Sequence, residues 1–272
     1  MENLLFLGAF FTYFLASCLY ISHLIFGNQQ LGKIASWVTG LGLATNTLAL
    51  VARTITAGRL PFASMYEFGM AFIWGIVLLY LFLEIRYKNR TAGTFVMPVV
   101  FILTGIFALF QQAAHPLMPA LKSNWLLAHV LTAIIAYSAL AVSFALAIMY
   151  LWKLSLTESN EVDTIVPSLE ALDVLVNRLI TLAVPFLTLL IITGAVWAEY
   201  AWGSYWRWDP KETWSLITWI IYAVYLHGRT ILGWKGKKAM IWAVSGFVAV
   251  LVTFIGVNTL LPGLHSYAFF KN

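Results

Sequence analysis

The chain contains a single cysteine, Cys18, and little charge of either sign: Asp, Glu, Lys and Arg together make up 10% of its 272 residues. One thiol excludes a disulfide within the chain and any C-x-x-C redox pair, so thiol chemistry has to come from another protein. Soluble domains carry about 25% charged residues. At 61% hydrophobic residues and a mean hydropathy of +0.86, this chain has more apolar surface than a water-soluble core can hide. The alternating segments of a membrane barrel are absent as well. The apolar runs are continuous and about 20 residues long, as spanning helices require. No basic run is long enough to hold a nucleic acid, and a net charge of +5 in a membrane protein mainly sets orientation. There is no internal repeat and no low-complexity segment.

What is present reads as an all-α integral membrane protein, a single polytopic domain over residues 1–272. Eight spans are predicted, at about 3–26, 34–55, 66–87, 94–111, 125–152, 182–200, 214–233 and 239–261. The first apolar run lacks a basic leader and is long enough to cross, so it is read as a retained helix rather than a signal peptide. Eight crossings sort the loops by side. Lys33, Arg86, Lys88, Arg90, Lys153, Arg178, Arg229, Lys235, Lys237 and Lys238 share one side; Arg53, Arg59, Lys122, Arg207, Lys211 and Lys271 share the other. The richer side is cytoplasmic by the positive-inside rule. Both termini then face outward. Between spans five and six, Leu169, Leu172, Leu175, Val176 and Leu179 recur at helical spacing among Glu170, Asp173 and Asn177. That pattern predicts an amphipathic helix along the cytoplasmic membrane surface, started by Pro167. The outer connection 59–67, with Pro61, Tyr66 and Glu67, is more than a turn.

The segment 197–229 stands apart. Trp197, Trp202, Trp206, Trp208, Trp214 and Trp219 are half of the chain's tryptophans, and among them lie Arg207, Asp209, Lys211 and Glu212. Tryptophans anchor helices at membrane interfaces, and Trp197 and Trp219 fit such a belt. A belt does not account for a glycine-containing loop with three tryptophans, an aspartate and a proline in nine residues. By span parity the loop faces outward, as do His115, His129 and His265. His227 lies 13 residues past Trp214, about 20 Å down a helix, in the inner half of the bilayer; His23 sits at a comparable depth. Intramembrane ionisable groups are costly and mark function. Tryptophan faces give flat, rigid apolar area, and histidines from separate helices give axial nitrogens. Together they suit a planar apolar ligand with a central metal, which is haem. Zinc fits poorly, for there is no H-x-x-x-H or cysteine-rich spacing.

The run WGSYWRWDPKETWSLITW at 202–219 resembles the tryptophan-rich WWD signature of cytochrome c assembly proteins, and more narrowly the CcsA/ResC family of the system II pathway. The WDPKET form separates it from CcmC, the related haem-handling protein of system I. PFASMYE at 61–67, SNWLLAHV at 123–130, YLHGR at 225–229 and GVNTLLPGLHSY at 256–267 extend the resemblance in order through most of the chain. The resemblance implies that His129 and His265 are the axial ligands of haem at the outer surface. It implies that His227 holds haem within the bilayer, with a second ligand from a companion, CcsB/ResB (Ccs1); by depth alone, His23 is the other source open for that ligand. Haem, b-type before transfer, is then the substrate. It would be attached to the C-x-x-C-H segment of apocytochrome c by addition of two thiols across its vinyl groups, with a thiol-reducing protein upstream. Trp202, Trp206, Trp208 and Asp209 are expected to hold the ring. Arg207 and Lys211 are expected to meet its propionates, with Arg53 and Arg59 as second choices. No residue reads as a nucleophile or an assured general base; Asp209 and Glu212 suit either proton handling or charge pairing. The implied setting is the bacterial inner membrane, or the thylakoid membrane for a plastid-encoded chain. Two other functions fit the same histidines: a b-type di-haem electron-transfer subunit pairing His23 with His227, and a haem exporter or chaperone without ligase activity.

Overall fold

A computed structural model describes residues 2–114, 121–158 and 165–261. His115 and His265, and the end of the motif at 256–267, lie outside the described residues. The described residues are mostly helical, with no strand among them. In chain order the helices are α1 (Glu2–Phe26), α2 (Gln29–Ala57), α3 (Met65–Tyr87), α4 (Gly93–Ala108), α5 (Asn124–Glu158), α6 (Leu169–Trp202), α7 (Pro210–Thr230) and α8 (Gly236–Leu251). A π-helical turn, Val252–Gly256, and a last short helix, α9 (Val257–Leu260), continue α8. Six helical segments are long and apolar enough to cross a membrane: α1, α2, α3, α5, α6 and the α8–α9 run. The chain is therefore a multi-pass membrane protein. The remaining two predicted spans also form helices. The apolar α4 is shorter, at 16 residues, and α7 opens with a polar first turn before its apolar run at Trp214.

α5 is the hub. It packs along α6 and also touches α3, α4 and α8, while α1 and α2 form a hairpin laid on α4 and α3. Every residue from Met65 to Ile73 of α3 is buried, which fits a helix apolar on all sides and surrounded by others. The exception in that run, Glu67, is fully buried and answered by two arginines: Arg53 Nε donates to it at 2.9 Å and Arg59 Nη1 at 2.9 Å. Arg53 also reaches Glu2 at 3.2 Å and the carbonyl of Gln112 at 3.0 Å. This cluster ties α1, α2 and α3 together and fixes the 59–67 connection as a wall rather than a loose loop. The second-choice propionate partners, Arg53 and Arg59, are thus engaged by an internal carboxylate.

The expected separate surface helix needs correction. Residues 169–179 are the opening turns of α6, which runs unbroken to Trp202 with Pro185 inside it. The helical period was readable, but nothing between 179 and 182 breaks a helix, and Pro185 is accommodated within one. Leu172, Val176 and Leu179 are buried. Asp173 binds Arg229 of α7 at 2.7 and 2.9 Å and accepts the N–H of Gly236 at 2.9 Å. The start of α6 is therefore bolted to α7 and α8 at the end of the bundle away from the tryptophan loop.

Candidate functional site

α6 ends in Gly203, whose φ of 71° lies in the left-handed region that glycine enters without strain. Its N–H caps the carbonyl of Glu199 at 2.8 Å, and the chain turns out of the helix into the loop. Six residues later α7 begins with a capping box. The Asp209 side chain accepts the N–H of Lys211 at 2.9 Å, and Glu212 Oε2 accepts the N–H of Asp209 at 3.1 Å. Pro210 fills the first helical position, where a missing N–H costs nothing. The loop between is short and tied at both ends. Trp208 adopts φ 58°, unusual for a bulky residue, and strain of this sort concentrates at functional sites.

His129 comes to this loop from α5. Its Nδ1 lies 2.9 Å from the carbonyl oxygen of Leu190 on α6. A carbonyl only accepts, so Nδ1 carries the proton and the lone pair falls on Nε2. The ring stacks on Trp197, centroids 6.2 Å apart and planes 21° from parallel. Trp197 packs edge-on against Trp202 at 4.9 Å. Gly194 makes this approach possible, for a Cβ there would sit 2.8 Å from His129 Nδ1. The sequence placed Trp197 in an interfacial belt; it is instead buried beneath His129.

His129 borders a cavity of about 170 Å³ between α5, α6, α7 and the end of α8, shared with Trp206, Lys211, Glu212, Phe254 and Asn258. The π-helical turn widens α8 where Thr253 and Phe254 meet this space; such turns recur at functional sites. Lys211 Nζ donates to Asn258 Oδ1 at 3.3 Å and lies 5.4 Å from the centre of the Phe254 ring. Burial pushes its ammonium down to about 8, with the charge of Asp209 acting the other way. Pockets that engulf drug-sized ligands measure about 300–1,000 Å³, so a large flat ligand would lie across this mouth rather than inside it. A larger space of about 490 Å³, at the opposite end between α3, α4, α5 and α6, holds none of the predicted site residues.

The structure thus brings His129, Trp206 and Lys211 to one cavity and sets Trp202 behind them. Trp208, 68% exposed, stands edge-on to Trp206 at 5.6 Å on the open side. Arg207 is exposed, with its guanidinium donating to the carbonyl of Trp202. Asp209 is buried in the cap of α7 and holds the loop rather than facing the mouth. His227 lies apart, on the exposed side of α7 with Ile217, Ile220 and Val224. His23 is 1% exposed, its Nδ1 2.9 Å from the Asn28 carbonyl and its ring against Gly32. Sequence reasoning missed Leu190 and Gly194 and left Glu212 undecided.

Residues 62–265 match the family of the Cytochrome C assembly protein. The chain belongs to that family, in its CcsA branch. Among its CcsA relatives, that of Pyropia yezoensis is 37% identical over 98% of this chain and 97% of its own length. The CcsA of Microcystis aeruginosa is 38% identical over 85% of this chain and 87% of its own. Among solved structures, the cytochrome c haem lyase CcmF superposes with a TM-score of 0.72 at 18% identity. That match covers 99% of this chain and 48% of CcmF, so the CcsA fold corresponds to about half of that larger protein.

Proposed function

We propose that this CcsA-type chain presents haem at its tryptophan end and, with a CcsB-type companion, joins it covalently to apocytochrome c. The observation that carries the reading is the geometry of His129. A backbone carbonyl fixes its tautomer with Nε2 as the basic nitrogen, and it borders a tryptophan-walled mouth. Metal-bound histidines are oriented in this way by a partner on the other ring nitrogen. The shallow mouth suits a ligand that must be handed on, because a haem edge left outside can meet a second protein. Trp206 and Trp208 offer faces to the ring, and Lys211 a cation to a propionate. His265 is proposed as the second axial ligand.

His227 is proposed as the ligand of haem in transit through the inner half of the membrane. Its place on an exposed helix face favours a second ligand from the companion. The di-haem electron-transfer reading needs His23 and His227 to face each other. His23 is buried at the α1–α2 turn, and α7 packs on α6 and α8. The excess of Lys and Arg orients the tryptophan loop to the outer side, where reduced apocytochrome cysteines arrive from a thiol-reducing protein. The chain's own contribution is to bind, orient and shield the haem while two thiols add across its vinyl groups.

Expression with the companion in a host without its own cytochrome c maturation tests this. The expected outcome is covalent haem on a C-x-x-C-H reporter. Haem-loaded complex with no covalent product would overturn the synthetase role in favour of an exporter or chaperone.

A further inference from the structure

The Glu212 carboxylate is anchored at one oxygen and unpartnered at the other. Oε2 accepts the main-chain N–H groups of Arg207 at 2.8 Å and Asp209 at 3.1 Å. Those donors flank Trp208, so the strained turn and the carboxylate hold one another. The residue is 9% exposed, and Oε1 is buried with no hydrogen-bond partner among the described residues. Neither neighbouring cation meets it: Arg207 donates to the Trp202 carbonyl, and Lys211 to Asn258. Glu212 borders the same cavity as His129. Leaving a buried carboxylate oxygen without a donor is costly, so a rigidly held one, on a residue that lines a cavity, implies a donor brought when the ligand opens that wall.

We propose that Glu212 Oε1 accepts the proton of the apocytochrome thiol and returns it to the haem vinyl group. The inference rests on the synthetase reading above. Of the groups that reaction brings, ionised propionates have no proton to donate, whereas a cysteine thiol is only a few per cent ionised at neutral pH. In the step, the S–H proton passes to Oε1 and the sulfur bonds to the vinyl carbon next to the ring. The C=C electron pair then takes the proton from Oε1 at the terminal carbon. One S–H bond and one C=C π bond are lost, and one C–S and one C–H bond are formed. No electrons leave the system, and Glu212 ends as it began. Asp209 is not available for this role, because its side chain caps α7.

Glu212→Gln is the informative variant. Its one amide oxygen still accepts the two main-chain N–H groups, and its NH₂ replaces the open acceptor with a donor. The complex with the companion is purified, loaded with haem, and given a reduced C-x-x-C-H peptide across a range of pH. The expected result is wild-type haem content and absorption spectrum, with covalent product per loaded haem down about 100-fold at neutral pH. The deficit relative to wild type should narrow as pH approaches the thiol value of about 8.5, where thiolate forms unaided. Normal attachment by Glu212→Gln, or a deficit that does not change with pH, would overturn the proposal. Loss of haem together with product would make Glu212 a haem-holding residue instead and also overturn it. If the wild-type complex attaches no haem, the synthetase reading itself falls and takes this role with it.

Discussion

His129 owes its pose to two residues of another helix, the Leu190 carbonyl and Gly194. Neither was legible in the sequence, since a main-chain acceptor and a missing side chain carry no motif. The histidine itself was legible, because parity put it on the side of the tryptophan loop. Gly194→Ala would press a methyl to 2.8 Å from the ring and force it off Leu190. The expected outcome is a folded protein with altered or lost outer haem, read as a shifted Soret band and reduced haem content after purification. An unchanged spectrum would show that His129 needs no such seat. The polar residues of the loop divide in a way that composition could not show. Asp209 is spent on a helix cap, Arg207 on the Trp202 carbonyl, and Glu212 on two N–H groups with one oxygen to spare.

Among the elements, the long α6 couples the two ends of the molecule. Its first turns hold Asp173 against Arg229, and its last turns hold Trp197 and Leu190 against His129. The sequence pattern of 169–179 was helical, and so is the structure. The break after 179 was not there, because the residues up to Pro185 favour continuing. Asp173→Ala would take the carboxylate from Arg229 and leave its largely enclosed guanidinium only the Asn177 side chain and the Trp234 carbonyl, at a cost of about 3 kcal/mol. A lower thermal midpoint for the purified complex checks this, and Asp173→Asn should be milder because it still accepts from Gly236 and Arg229. The π-helical turn at Val252–Gly256 makes a second element-scale prediction. Such a turn holds one residue more than an α-helix needs. Deleting Thr253 should leave α8 folded and still helical by circular dichroism, while narrowing the cavity and reducing haem content. Equal haem in the deletion variant would separate the turn from the site.

For the whole molecule, the multi-pass helical class was readable because a bilayer forces backbone groups into helices of set length; against eight expected spans, six helices among the described residues are long and apolar enough to cross. The helix bounds in the structure lie within a few residues of the expected spans for most elements. The order of packing was not readable: α5 at the centre and α1–α2 at the edge follow from which faces fit, which hydropathy does not encode. The superposition on half of CcmF agrees with this arrangement. On the proposed reading, haem passes from an exposed histidine on α7 to the mouth at the tryptophan loop. The most direct test of that outer station is optical. The complex carrying His129→Gly is purified with haem and titrated with imidazole. A disturbed ferrous spectrum that returns to the wild-type form as imidazole fills the vacated position, with cytochrome maturation restored alongside, is the predicted result. A wild-type spectrum and normal maturation in the variant without imidazole would contradict the account.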